Sequence, residues 1–202
     1  MPTLRCTDEE CECTWSEVSH LAVGADCPEC GAPAKAVGVD DDGPARPAQP
    51  TSSERAHPGY AREKARQVAR QHGFVHPPVV AHKIARDVGF EVRQGTKLGR
   101  LSARLVGKVI EVNPDEPAVR QRFSVAHELG HHFLGSRHGD GKLAERGADA
   151  FAGELLVPGP MLSDAMQTTT DAEALRKKFA VSGQVLRIAA EHHKLDSRLT
   201  GE

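Results

Sequence analysis

The spacing of hydrophobic positions predicts most of the elements in the second half of the chain. Ala61, Ala65 and Val68 recur at three- and four-residue intervals until Gly73 interrupts, the signature of a helix with one buried face. After Pro77 and Pro78, the segment VVAHKIARDVGF places Val80, Ile84 and Val88 on one stripe and ends at Gly89, a residue suited to a left-handed C-terminal cap. Residues 101–112, LSARLVGKVIEV, alternate through Leu101, Ala103 and Leu105, turn near Gly107 and resume with Val109, Ile110 and Val112, which predicts a β-hairpin. NPDEP at 113–117 breaks that strand, and FSVAHELGHHFLG follows. At 100° per residue, Val125, Leu129, Phe133, Ala126, Gly130 and Leu134 share an arc of about 180°, while His127, Glu128, His131 and His132 occupy the other side. ERGADAFAGELLVP (145–158) reads as a further helix ended by Pro158. Near the end, Leu175 and Phe179 fall on one helix, Ser182 is placed as an N-cap, and Val185, Ile188 and Ala189 fall on the next. Residues 170–198 thus have a helix-turn-helix outline.

Composition divides the chain. All five cysteines lie in the first thirty residues, at Cys6, Cys11, Cys13, Cys27 and Cys30. CPECG with the upstream CECTW resembles a zinc ribbon, in which two Cys-bearing turns share one tetrahedral structural zinc. Cys11, Cys13, Cys27 and Cys30 are the expected ligands, with Cys6 the alternative to Cys11. Such a short module holds too little apolar surface to fold without metal. Residues 37–56, VGVDDDGPARPAQPTSSERA, carry little to bury and read as a solvated linker. The expected organisation is a zinc-ribbon-like module at 1–36, a linker at 37–56 and an α+β domain at 57–202.

A net charge of -2 speaks against a general polyanion binder. Lys and Arg barely outnumber Asp and Glu across 171–202, so direct nucleic-acid binding is not expected of the helix-turn-helix outline. MPTLRC lacks a charged segment followed by an apolar one, and no run of about 18 apolar residues occurs, so a cytoplasmic location and no membrane partner are expected. There, cysteines serve more often as metal ligands than as disulfides.

The chemistry concentrates at 127–131. His127 and His131 are four apart, so their imidazoles project from adjacent turns and can bind one ion, with Glu128 beside them, the HExxH arrangement of zinc peptidases. A chain with 11 histidines produces HExxH by chance in roughly one case in twenty, so the third ligand decides. The longer HExxHxxGxxH pattern fails, because Leu134 and Arg137 stand where it needs Gly and His. Glu145 and Asp149, four apart on the following helix, offer instead a carboxylate ligand and a carboxylate able to accept the second N–H of a ligating histidine.

FSVAHELGHHFLG followed by ERGADAFAGELLVP resembles the ImmA/IrrE family of zinc metallopeptidases. PPVVAHKIARDVGFEV and IEVNPDEPAVRQRFS upstream, and LRKKFAVSGQVLRIAAEHHKL downstream, are similar too, so the resemblance covers about residues 57–198 in order. It implies a small zincin-like domain, with the active-site helix packed on a short antiparallel sheet. Together with the ligand argument it implies one catalytic Zn2+ held by His127, His131 and Glu145, Glu128 as general base and acid, and Asp149 behind a ligating histidine. His132 and His138 are candidates for oxyanion or substrate contact. The resemblance further implies a protein substrate, typically a helix-turn-helix repressor whose cleavage derepresses stress-response or mobile-element genes. The competing reading is a non-enzymatic regulator with a structural zinc; Glu128 argues against it, since a structural metal needs ligands but no base.

Overall fold

The computed structural model describes residues 50–201 apart from Lys97 and Arg100, together with the backbone of three short strands nearer the start. The chain forms two compact units, Met1–Gln49 and Pro50–Glu202. In the first, β1 (Thr3–Cys6), β2 (Thr14–Ser16) and β3 (Ala34–Val37) form an antiparallel sheet in the order β2-β1-β3. Cys11, Cys13, Cys27 and Cys30, expected as ligands of a structural zinc, lie outside the described residues.

The second unit begins before residue 57. Thr51 caps α1 (Ser52–Ala56) through a reciprocal capping box with Glu54, and Ala56 is buried. The span read as linker therefore ends in ordered structure; its polar composition serves a capping motif rather than solvation alone. Next comes α2 (Pro58–Gln71), whose buried face is Ala61, Ala65, Val68 and Ala69. The helix α3 (Ala81–Asp87) ends before Gly89, whose φ is +85° as its place in the sequence demands. Its buried stripe differs from the expected one: Ala81, Ile84 and Ala85 face inward, whereas Val80 precedes the helix and is 42% exposed. The small alanines let the backbone approach the core, and this packing outweighs the larger side chain at 80.

The hairpin forms as expected, with β5 (Ala103–Val106) and β6 (Val109–Val112) joined through Gly107 at φ +60°. The expected antiparallel sheet is in fact mixed, because β4 (Glu91–Gln94) joins β6 in parallel, giving the order β4-β6-β5. A parallel neighbour needs a long crossover, which no local pattern announces. One face of this sheet carries Val92, Ala103, Leu105, Ile110 and Val112 into the core. On the other, Glu111 of the central strand stands in register with Arg93 and Arg104 and accepts hydrogen bonds from both, at 2.9 and 2.6 Å.

The long helix α4 (Ala118–Leu134) packs against α5 (Lys142–Leu156). Val125, Ala126, Leu129, Gly130 and Leu134 of α4 are buried, as the helical arc requires. Gly135 ends α4 in the left-handed region. α5 starts three residues before Glu145, after Gly141 at φ +99°. The remaining helices are α6 (Gly159–Ala165), α7 (Ala172–Phe179) and α8 (Gly183–His192), with Ser182 capping α8 through the Val185 N–H. Leu186, Ala189 and Ala190 form the buried side of α8; Ile188, expected inside, is 54% exposed. Arg122 ties α4 to the end of α7 by donating to the carbonyls of Phe179 and Ala180, and to the chain before α3 by donating to that of Val79. Among the described residues no helix is long and apolar enough to cross a membrane.

Candidate metal centre

Close approach of α4 and α5 builds the site. Gly130 lies against the backbone of Ala148, so near that a Cβ there would stand 2.9 Å from the Ala148 Cα. This contact brings together the turns that carry His127 and His131 on α4 and Glu145 on α5. His127 Nε2 lies 3.4 Å from Glu145 Oε2, and His131 Nε2 lies 3.6 Å from Glu145 Oε1. Two ligands on a tetrahedral zinc, each bonded at about 2.0–2.1 Å, stand about 3.3 Å apart. Both His–Glu separations are near that value, so the three side chains are grouped as candidates for one ion.

The other nitrogen of each histidine is accounted for. His127 Nδ1 donates to Asp149 Oδ1 at 2.9 Å, since a carboxylate can only accept, and this turns Nε2 toward Glu145. His131 Nδ1 hydrogen-bonds with Ser136 Oγ at 2.9 Å. The His131 side chain is 2% exposed, and its Nε2 is buried without a hydrogen-bond partner. Leaving such an atom unpaired costs about 1–3 kcal/mol, a cost that a metal bound there would remove. Burial, then the neighbouring His127 and His138, hold the His131 pKa below the usual histidine value and favour the neutral ring that binds metal.

Glu128 is 2% exposed, with Oε2 buried and unpartnered and Oε1 2.8 Å from His138 Nε2. His138 Nδ1 in turn lies 3.2 Å from Glu145 Oε1. Burial works against protonation of His138, but the hydrogen bond it donates to Glu128 and the charges of Glu128 and Glu145 raise its pKa overall. Glu145 is shifted down: burial opposes ionisation, and His138, His131 and His127 overcome it. The ligating atoms available on His127, His131, His138 and Glu145 all lie within 4.8 Å of one another.

His132 is not brought into this group. Its ring meets the edge of Phe90 with centroids 5.0 Å apart, and Lys108 Nζ sits over the same Phe90 ring at 4.7 Å. Position 132 is one residue, or 100°, beyond His131, which turns the ring toward Phe90 rather than Glu145. Ser136 carries no signal in the sequence beyond following the Gly135 that ends α4; its role depends on how the chain turns after the helix.

A second group, Glu154, His192 and His193, also has ligating atoms within reach of one another. The buried Glu154 already accepts from Arg66 at 2.9 Å, from the Gly159 N–H at 3.1 Å and from His193 at 2.8 Å. With a guanidinium beside it, this cluster joins α2, α5 and α6 to the end of α8 as an ion-paired node.

Among solved structures, a Mycobacterium tuberculosis transcriptional regulator is similar with a TM-score of 0.50 and 17% identity, over 65% of this chain and 47% of that one. At that identity the likeness concerns the fold alone, and this chain spans about half the length of that protein. No curated protein matches the sequence. The profile of the peptidase M78 family, described as the IrrE N-terminal-like domain, matches residues 87–191, which include both helices of the site and the turn between them. This chain therefore belongs to the IrrE N-terminal-like family of M78 peptidases.

Proposed function

We propose that the chain is a zinc-dependent endopeptidase that hydrolyses peptide bonds in a protein substrate, a helix-turn-helix transcriptional repressor, and thereby derepresses stress-response or mobile-element genes. The observation that carries this reading is the convergence of His127, His131 and Glu145, at 3.4 and 3.6 Å, beside a buried carboxylate that is not needed as a ligand. His127, His131 and Glu145 would hold the zinc, and Asp149 and Ser136 would fix the ring orientations of His127 and His131. Zinc bound there supplies Lewis-acid chemistry: it acidifies a water and polarises a carbonyl. Glu128 takes the proton from the attacking water and passes it to the leaving amine, its carboxylate held in place by burial within α4. The free edge of β5 offers backbone groups to which an extended peptide can pair.

A purely regulatory role is the second reading, favoured by the description of the Mycobacterium tuberculosis neighbour as a transcriptional regulator. The two separate on one experiment. The protein is co-expressed with a helix-turn-helix regulator encoded beside it, as wild type and as Glu128→Gln, with zinc content measured for both. Cleavage by wild type that disappears in the variant while zinc is retained supports the peptidase. Cleavage that survives the substitution removes Glu128 from the mechanism; zinc retained in wild type without cleavage of the candidate favours the regulatory role.

A further inference from the structure

Three histidines, not two, turn one ring nitrogen toward Glu145, and of these only His138 is hydrogen-bonded to it. His127 and His131 each face it with one nitrogen while the other is held by Asp149 or Ser136. His138 does likewise: Nδ1 is 3.2 Å from Glu145 Oε1, and Nε2 is held by Glu128 at 2.8 Å. The 3.2 Å separation is close to the edge of about 3.3 Å expected between two ligands of a tetrahedral zinc. The His138 ring is 4.4 Å from that of His131 and 5.3 Å from that of His127, so it packs beside both.

We propose that His138 is a removable fourth protein ligand: as a neutral ring that donates Nε2–H to the general base Glu128, it would close the metal centre through the lone pair of Nδ1. The inference rests on the reading of His127, His131 and Glu145 as a zinc site. Catalytic zinc sites keep one position open, whereas a fourth protein ligand makes a site closed. Here one side chain does both things that would hold the peptidase inactive. It takes the coordination position that water needs, and it takes an oxygen of the carboxylate that must accept the proton.

The residue is placed so that it can leave. His127 and His131 stand on α4 and Glu145 on α5, but His138 stands on the turn between them, with its side chain 49% exposed. Gly135, Gly139 and Gly141 all have positive φ, so the turn pivots at residues without a Cβ. Within the turn, the Arg137 N–H donates to Asp140 Oδ2 at 2.7 Å and the Asp140 N–H donates to the Arg137 carbonyl, so the loop can move as a small hydrogen-bonded body. A substrate segment entering the site would displace His138 from Glu145 and Glu128 together, so opening of the site and release of the base are one event.

Cobalt(II) in place of zinc provides the test, with azide as a small anion that binds an open position and changes the visible spectrum. The proteins compared are wild type, His138→Ala and, as a control, His132→Ala, whose ring packs on Phe90 outside the cluster. Wild type and the control are expected to give the same spectrum and to resist azide. His138→Ala is expected to bind one cobalt, to show an altered spectrum, and to bind azide at least about tenfold more tightly. Equal azide affinity and identical spectra in wild type and His138→Ala would overturn the fourth-ligand assignment while leaving the three-ligand site intact. Failure of folded wild type to bind cobalt at all would overturn both. Circular dichroism reports folding of each variant, and His138→Gln, which keeps a polar side chain on the turn, is expected to follow His138→Ala in both readouts.

Discussion

The contact between Gly130 and Ala148 sets how closely α4 and α5 approach, and this separation is expected to govern metal affinity at the candidate site. In Gly130→Ala the new Cβ would lie 2.9 Å from the Ala148 Cα and 3.0 Å from its carbonyl oxygen, against the 3.4–4 Å of ordinary contact. Both opposing atoms are helical backbone, so no side chain can rotate away; α5 must move by about 0.5 Å or more. In an exposed helix the substitution would stabilise by about 1 kcal/mol through backbone entropy. Overpacking of this kind costs about 1–3 kcal/mol, so a net destabilisation of about 1 kcal/mol is expected. In a domain of this size that lowers Tm by about 2–4 °C. The effect on metal is expected to be larger, because Glu145 and Asp149 flank Ala148 on α5 while His127 and His131 flank Gly130 on α4. Ligand distances tolerate about 0.2 Å, so zinc affinity measured by competition with a chromogenic chelator is expected to fall about 10-fold or more. Gly147→Ala is the comparison: its Cβ would meet the Ala56 carbonyl at 2.5 Å, pressing on the short helix α1 and not on α4. It is expected to lower Tm while largely keeping zinc affinity. A Gly130→Ala protein that is as stable as wild type or more so, and binds zinc equally well, would show that the helix separation does not set the site.

Asp149→Ala removes the acceptor that holds His127 Nδ1 and is expected to weaken zinc binding by about 10- to 100-fold with little change in the secondary structure seen by circular dichroism. Arg122→Ala leaves the carbonyls of Val79, Phe179 and Ala180 without their donor; a loss of about 3 kcal/mol is expected in urea unfolding. The hydrogen bonds of Arg104 and then Arg93 hold the Glu111 carboxyl below its usual range. A carboxylate lowered on folding stabilises above its unfolded pKa and loses that contribution as pH falls through the folded value. The Tm advantage of wild type over Glu111→Gln is therefore expected to be full at neutral pH and to shrink as pH drops below about 4; an advantage that is constant down to pH 3 would sink the assignment.

Within a helix the sequence is an explicit geometric statement, and for α4 and α5 it groups the candidate side chains on one face of each. The side of α4 that carries His127, Glu128 and His131, the four-residue spacing of Glu145 and Asp149, and the stop at Gly89 follow from a fixed 100° step and from the residue types that left-handed caps accept. The hairpin was legible for the same reason, since alternation and a turn glycine are local. The sequence left open whatever depends on chain segments meeting. Val80 and Ile188 look like core positions and are exposed, because which apolar face wins depends on neighbours far along the chain. The parallel pairing of β4 with β6 has no local mark. Ser136 and His138 lie on a turn without periodicity, so only the tertiary structure shows one behind His131 and the other between Glu128 and Glu145. The residue types at the candidate site are thus written in two helices, while their distances are set by a glycine contact between those helices and by the loop that joins them.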